Sequence, residues 1–284
     1  AGANVCLFAE GNRSFSGETG EIHPSTAKLI KKSGVSLITF RLDGGYFTSP
    51  RWSKGLRKGE MKGRMVREYT PEDLKKMSSE EVAEAIERDL YVNAYDEQNI
   101  RSIAYKGKNL AQDLETALYR CPECDKMDTL KSEEDRFYCT CGLDLTYNEF
   151  GLFTSNTESE PVFTTVLDWT KWQEAKLSEE IENIRRLSID TVIYSDQDQT
   201  LWSVTEGKNV LLGKGALLLY NDRLVFDLGD EKRIFRIQDL SSVEIIGQKV
   251  IAFATNDRQA FEIKSDWPRN ALKYRDIFNY LKTK

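Results

Sequence analysis

Two groups of residues in this 284-residue chain have types and spacings suited to chemistry. The first is CPECDKMDTLKSEEDRFYCTCG, in which Cys121 and Cys124 form a CxxC pair and Cys139 and Cys141 a CxC pair. Thiolate pairs on tight turns, brought together by a hairpin, offer the four-sulfur tetrahedron that Zn²⁺ prefers; with no open position left, such a site is structural and not catalytic. One residue separates Cys139 from Cys141 where two are usual, which predicts a distorted second knuckle. Two disulfides are the alternative use of these cysteines, but the N-terminus has neither a charged start nor an apolar signal core, which favours the metal. Asp125, Asp128, Glu133, Glu134 and Asp135 lie between the pairs and would repel phosphates, so the segment reads as a scaffold or protein contact and nucleic acid is not expected as a partner. Cys6, the fifth cysteine, sits in an apolar run and is expected to be inert packing.

The second group is LFAEGNRSFSG, residues 7–17. Here Gly11 lets the backbone approach a ligand, Arg13 offers a fork for a phosphate, and Glu10 can accept from a hydroxyl or hold the arginine in place. A phosphorylated polyol would suit such a site. A salt-bridged turn uses the same residues equally well, and the residues alone leave both readings open. His23, the only histidine, is read as a surface or capping residue at a helix entrance. Between Arg51 and Arg67 seven cations face one acid, Glu60; Arg51, Trp52 and Arg57 in this strip are candidates for a membrane surface, where a Trp ring sits at headgroup depth among charges that meet lipid phosphates. A solvated loop is the plainer reading of the same strip. Asp43, Gly44 and Gly45 form a tight turn whose two glycines either leave room for a ligand or make a plain loop.

The elements that must position these residues follow from pattern. Residues 3–9 read as a strand buried on both faces, STAKLIKKSG as a short helix ending at Gly34, and residues 35–42 as a second strand, together a βαβ unit of a parallel sheet whose carboxyl edge carries Glu10 and Arg13. Another strand is expected from Gly59. Pro71 after Thr70, and the capping box of Ser78 and Glu81 ahead of Val82, Ala85, Ile86 and Leu90, mark helical segments. DWTKWQEAKLSEEIENI is helix-like, and from Ile189 short strands around Asn221-Asp222 and Asn256-Asp257-Arg258 make an antiparallel meander before a helix with Ala271, Tyr274, Phe278 and Leu281 on one face. Expected domains are an α/β unit over 1–119, a zinc ribbon over 120–150, a linker with a helix over 151–187, and a mostly antiparallel β barrel of pleckstrin-homology or GRAM type, with its C-terminal helix, over 188–284.

LFAEGNRSFSG resembles the FPEGTRS block of the glycerophosphate and lysophospholipid acyltransferases, with Ala9 where that family has Pro and Asn12 where it has Thr. The spacing to SGVSLITFRLDGGYF is similar too, with Val35, Ser36 and Leu37 at a VPI-type motif. The resemblance covers about residues 1–100 and implies the second half of an acyltransferase domain. It implies that Glu10, Gly11 and Arg13 bind the glycerol phosphate of the acceptor, with Ser14 closing the loop. The substrates implied are an acyl thioester, on coenzyme A or acyl carrier protein, and a lysophospholipid or glycerol-phosphate acceptor. The family's HxxxxD block, whose His acts as general base, is absent here and is expected upstream of Ala1, so the chain reads as a fragment that binds better than it catalyses. The alternative of another class is an adaptor or membrane-binding scaffold without catalysis, built from the ribbon and the barrel.

Composition sets the outer bounds. Hydrophobic residues at 40% and charged ones at 30% are ordinary for a globular chain, and the net charge of -6 disfavours wrapping an anionic polymer. No apolar stretch approaches the roughly 20 residues that span a bilayer. The expected location is cytoplasmic, peripheral on the cytoplasmic face of a membrane.

Overall fold

The computed structural model describes residues 4–23, 25–205, 208–267 and 270–282. The first element is α1 (Ser25–Ser33), which begins where His23 Nδ1 accepts from the Ser25 amide at 3.1 Å. His23 is therefore a capping residue, as its position suggested. Strand β1 (Leu37–Asp43), the short helix α2 (Gly45–Thr48) and β2 (Lys62–Tyr69) follow. Helices α3 (Pro71–Lys76) and α4 (Ser79–Leu90) each start with a capping box, Thr70 with Asp73 and Ser78 with Glu81, and α5 (Ala94–Arg101) is capped by Asn93.

This region departs from the expected βαβ unit. Residue 3 lies outside the described residues, and residues 4–8 form no strand; Val5, Leu7 and Phe8 are 89%, 56% and 72% exposed and Cys6 is exposed rather than packed. Strand β1 pairs with β2 in an antiparallel two-stranded ribbon, and every strand pair among the described residues is antiparallel. The apolar run was read as a buried strand from hydrophobicity alone, but a strand needs a partner for its backbone groups, and none of the described strands lies beside it.

The ribbon's amphipathicity is inverted. On its inner face Thr39 is buried and donates to Asp89 of α4 at 3.0 Å, while Ile38, Phe40, Leu42 and the facing Met65 are 55%, 52%, 44% and 58% exposed. A small core of Ile22, Ala27, Tyr69, Leu74, Val82, Ala85 and Ile86 holds the ribbon against α1 and α4, and Ala9 packs on it.

Four short strands, β3 (Leu130–Glu133), β4 (Arg136–Cys139), β5 (Asp144–Tyr147) and β6 (Phe153–Ser155), make the sheet that carries the cysteines. Helix α6 (Val166–Arg186) leads into a seven-stranded antiparallel sheet of β7 (Tyr194–Thr205), β8 (Lys208–Leu219), β9 (Arg223–Asp227), β10 (Lys232–Arg236), β11 (Leu240–Ile246), β12 (Val250–Thr255) and β13 (Ala260–Ser265) in the order β10-β9-β8-β7-β13-β12-β11. The sheet curls: Phe235 of β10 meets Phe253 and Phe261 with ring centroids 4.8 and 4.9 Å apart. Helix α7 (Leu272–Lys282) packs on it with Tyr274, Ile277 and Phe278 buried. The hairpins around Asn221-Asp222 and residues 256–258 fall where the turn residues placed them. One core runs from Phe15 and Trp52 through the cysteine sheet and α6 into this C-terminal sheet. Among the described residues no helix is long and apolar enough to cross a membrane.

Asp89 provides a test of the small core. Burial alone would raise its carboxyl, but hydrogen bonds from Tyr69 at 2.7 Å, Thr39 and Arg88 outweigh that and hold it below the ordinary value. A depressed native pKa contributes stability that is present above the unfolded value and lost as pH falls through the folded one. Denaturant unfolding at neutral pH is expected to show Asp89→Asn less stable by about 2 kcal/mol, a difference that narrows as pH falls below the ordinary aspartate value of about 3.9.

Candidate functional site

The cysteine cluster is assembled by two turns. The first knuckle closes by the Cys121 amide donating to Lys126 O at 3.0 Å and the Asp125 amide to Cys121 O at 2.9 Å, with Asp125 in the left-handed region. In the second, Cys139 ends β4 and Gly142, at φ 113°, turns the chain so that its amide reaches Cys139 O at 3.1 Å. That left-handed glycine is how a CxC spacing returns Cys141 to the cluster.

All four sulfurs lie within 4.8 Å of one another, with Cys121 Sγ to Cys141 Sγ at 3.7 Å and Cys124 Sγ to Cys139 Sγ at 3.8 Å. A tetrahedron with metal–sulfur bonds of about 2.3 Å has edges of about 3.8 Å. The donor set thus fits a metal ion, is compatible with zinc, and is not paired as disulfides. Burial pushes the Cys121 thiol up; burial acts on Cys139 too, but its bonds with Thr129 and the Cys141 backbone pull it below the ordinary value. A bound cation would supply the charge that keeps all four deprotonated.

The cluster is tied to its surroundings by buried cations. Arg120, 4% exposed, makes bidentate pairs with Asp125 (2.6 and 2.8 Å) and with Glu180 of α6 (2.8 and 2.7 Å). Lys273 of α7, 1% exposed, reaches Asp128 at 2.7 Å and Asp196 of β7 at 3.3 Å between the Tyr194 and Tyr274 rings. Asp125 and Asp128, read from sequence as repelling acids, are thus partly committed to internal cations.

The loop of Glu10, Gly11, Arg13 and Ser14 is also assembled, though not at a parallel sheet edge. Gly11, at φ 70°, closes a turn by donating to Phe8 O at 3.0 Å, and the space where a Cβ would point is open. Glu10 Oε2 accepts from the Gly20 amide at 2.8 Å; partial desolvation raises its carboxyl and that amide opposes the rise. Arg13 Nη1 donates to Ser49 O at 2.9 Å and also contacts Ser49 Oγ. Ser14 Oγ accepts from the Gly17 amide at 2.9 Å and the Ser16 amide at 3.2 Å, which closes the loop. Glu10 and Arg13 form no ion pair, and both are exposed. Two clefts lie elsewhere, one beside Cys124 and Cys141 and one over Tyr69 and Arg88, and neither takes in these four residues.

Three residues of the basic strip are withdrawn from the surface. Trp52 is fully buried, Arg51 and Arg57 are 7% and 5% exposed, and only the remaining cations, Lys54, Lys58, Lys62, Arg64 and Arg67, face solvent. Arg57 lies 4.9 Å over the Trp52 ring and 5.4 Å over Tyr147, and donates to Leu110 O at 2.8 Å. Gly44, at φ 78°, is packed, since a Cβ there would collide with the Glu60 carbonyl and the Tyr105 hydroxyl, whereas the space beside Gly45 is open. Sequence reasoning missed the burial of Arg51, Arg57, Arg120 and Lys273; a Trp flanked by cations was the one available signal.

No family model matches the chain, and no curated protein matches it. Among solved structures, the C-terminal domain of an unknown protein from Leishmania infantum is similar at 11% identity over 38% of this chain and 97% of its own, with a TM-score of 0.24. An N-terminally truncated linker-DH/PH fragment of p115-RhoGEF is similar at 12% identity over 41% of this chain and 42% of its own, also with a TM-score of 0.24. Scores this low carry no argument about fold or function.

Elemental analysis is expected to find about one equivalent of zinc per chain, and the cobalt-substituted protein to show the absorption of a tetrahedral thiolate site. Cys121→Ser should abolish that absorption and lower the Tm of the metal-loaded protein; an unchanged spectrum would show that the sulfurs do not ligate.

Proposed function

We propose that this chain supplies the acceptor-binding half of an acyltransferase that moves an acyl group from a thioester to a lysophospholipid or glycerol-phosphate hydroxyl. The observation that carries the proposal is the separation of Glu10 from Arg13. In a salt-bridged turn the two charges would neutralise each other; instead each is anchored by backbone groups elsewhere and remains exposed. The described contacts of Arg13 run through Nη1 alone, so the rest of the guanidinium is available to a phosphate, in the bidentate manner that arginine favours. Glu10 Oε1 is similarly placed to accept from a polyol hydroxyl. With Gly11 open above and Ser14 holding the turn, the four residues of the resemblance stand as a preorganised loop.

The inverted ribbon supports the same reading. Ile38, Phe40, Leu42 and Met65 facing outward, together with Val5, Leu7 and Phe8, make an apolar surface of the kind that a further layer covers. In this proposal the covering layer is the remainder of the acyltransferase domain, which also supplies the general base; His23 is committed to capping α1. Acting on a lipid acceptor implies peripheral attachment to a membrane; on β2 Lys62 pairs with Glu60 and Arg64 with Asp43, which leaves the exposed Arg67 as the cation best suited to an anionic headgroup.

The C-terminal sheet with its helix is, in this reading, a module of pleckstrin-homology or GRAM type, and the cysteine sheet a zinc ribbon. Most of the module's candidate lipid-binding cations are neutralised: Lys214 pairs with Asp198, Arg223 with Asp222, Lys232 with Asp227 and Arg233 with Glu231. That favours a positional role over lipid capture. The adaptor reading keeps this module and the ribbon but leaves the separated charges of the loop unused.

In the protein containing this chain and an intact acyltransferase domain, Arg13→Ala is expected to raise the acceptor KM by about tenfold to a hundredfold, and Arg13→Lys to recover part of it. A complete protein that neither binds glycerol 3-phosphate nor acylates any glycerophosphate acceptor would remove the proposal.

A further inference from the structure

The segment after α2 joins three parts of the molecule that the sequence keeps far apart. Ser49, at its start, holds Arg13. Two residues on, Arg51 Nε donates to Gly247 O at 3.2 Å, Arg51 Nη2 donates to Ile245 O, and its guanidinium carbon lies 4.4 Å from the centre of the Phe15 ring. Gln248 returns the contact by donating from Nε2 to Trp52 O. Trp52 then packs edge-on against Tyr147 of the cysteine sheet, centroids 5.5 Å apart, and its indole N–H reaches Tyr46 OH at 3.4 Å, whose hydroxyl donates to Phe15 O at 3.3 Å.

Arg51 is thus bonded on one side to the turn between β11 and β12 and stacked on the other against a residue two places from Arg13. Its acceptors are carbonyls of the C-terminal sheet, so it is satisfied only when that sheet is seated. If the turn withdraws, a buried guanidinium loses its partners and the Phe15 ring its cover, and the Ser49 end of the segment, which holds Arg13, keeps only its bond to α2, the Ser49 amide on Gly45 O at 3.1 Å. The chain of contacts runs through packed groups with no solvent gap at Arg51 or Trp52.

We infer that Arg51 is a positioning residue through which the β11–β12 turn of the C-terminal module sets the place of Arg13 and the Glu10–Ser14 loop. The consequence for acceptor binding rests on the acyltransferase reading; the mechanical coupling does not. The C-terminal module is then part of the acceptor site's architecture in cis rather than an independent tether.

Arg51→Met, Arg51→Lys and Gln248→Ala are compared with the parent in the complete protein by amide hydrogen exchange and by acyl-transfer kinetics against glycerol 3-phosphate. Arg51→Met is expected to speed exchange over residues 8–17 by about tenfold or more while α4 and β3–β6 keep their protection, and to raise the acceptor KM by a similar factor with kcat nearly unchanged. Arg51→Lys, which keeps the charge and can reach one carbonyl, is expected to recover part of both effects. Gln248→Ala removes a contact from the module's side without touching the buried cation, and decides the matter should Arg51→Met fail to fold. Exchange over residues 8–17 that is unchanged in the folded variants overturns the coupling. Faster exchange with an unchanged acceptor KM overturns its role in binding. Faster exchange in a protein that acylates nothing leaves the coupling standing and removes the acyltransferase reading instead.

Discussion

Trp52, with no exposed surface, sits between two arginines that are buried with it, and the arrangement of the rest of the molecule follows from how those cations are satisfied. Taking a guanidinium out of water is costly unless its N–H groups find acceptors or its faces find rings. Arg51 and Arg57 use backbone carbonyls and aromatic faces rather than carboxylates: Ile245, Gly247 and Phe15 for the first, Leu110, Trp52 and Tyr147 for the second. Those acceptors lie 194, 196 and 53 residues away along the chain. No local folding event can satisfy either arginine, so this joint closes only when the cysteine sheet and the C-terminal sheet are both in place. It accounts for one core that runs from Phe15 to Phe278, beside smaller cores around Val82 and around Phe47.

The parts that were legible in the sequence are those whose causes are local. Pro71 at the start of α3, the capping box at Ser78, hairpin turns at Asn221 and Asn256, the cysteine spacing and the apolar face of α7 each depend on residues a few places apart, and each lies where it was read. What failed depends on partners. An apolar run at residues 4–8 has the composition of a buried strand but lacks a neighbour, and ribbon pairing of β1 with β2 cannot be told from a parallel crossover by periodicity. Strand β7 lies inside the expected meander but had no signal of its own because DQDQT is polar, although Gln199 is 1% exposed and its side-chain amide donates to Gln197 O at 2.6 Å and lies 3.4 Å from Ser265 Oγ. For the candidate loop, the identity of Glu10, Gly11, Arg13 and Ser14 was readable but the anchor on Ser49 was not, because it joins residues 36 apart.

Buried cations recur as the links between units. Arg120 binds the first knuckle to α6 through Asp125 and Glu180, and Lys273 binds the stretch after it to α7 and β7 through Asp128 and Asp196. Both cations are more buried than the acids they engage, so each acid screens a charge that would otherwise be stranded in the core. The knuckle that presents Cys121 and Cys124 therefore cannot shift without exposing or unpairing Arg120 and Lys273. A metal held by the four sulfurs would lock the same turn from the other side, and the two constraints reinforce one another rather than acting separately.

The loop of Glu10 and Arg13 shows the opposite economy. Nothing in its immediate sequence prevents the two side chains from meeting, since they are three residues apart on a turn, and an exposed pair would gain little by doing so. Each is instead held by one terminal atom to a distant backbone group, Gly20 for the acid and Ser49 for the base. Such tethering leaves the charges unquenched and would lower the conformational entropy still to be lost on binding the acceptor proposed above. The anchor for the base belongs to the segment that Arg51 and Trp52 bury. An exposed arginine near the start of the chain is in this way linked, through Ser49 and Arg51, to a hairpin turn more than two hundred residues later.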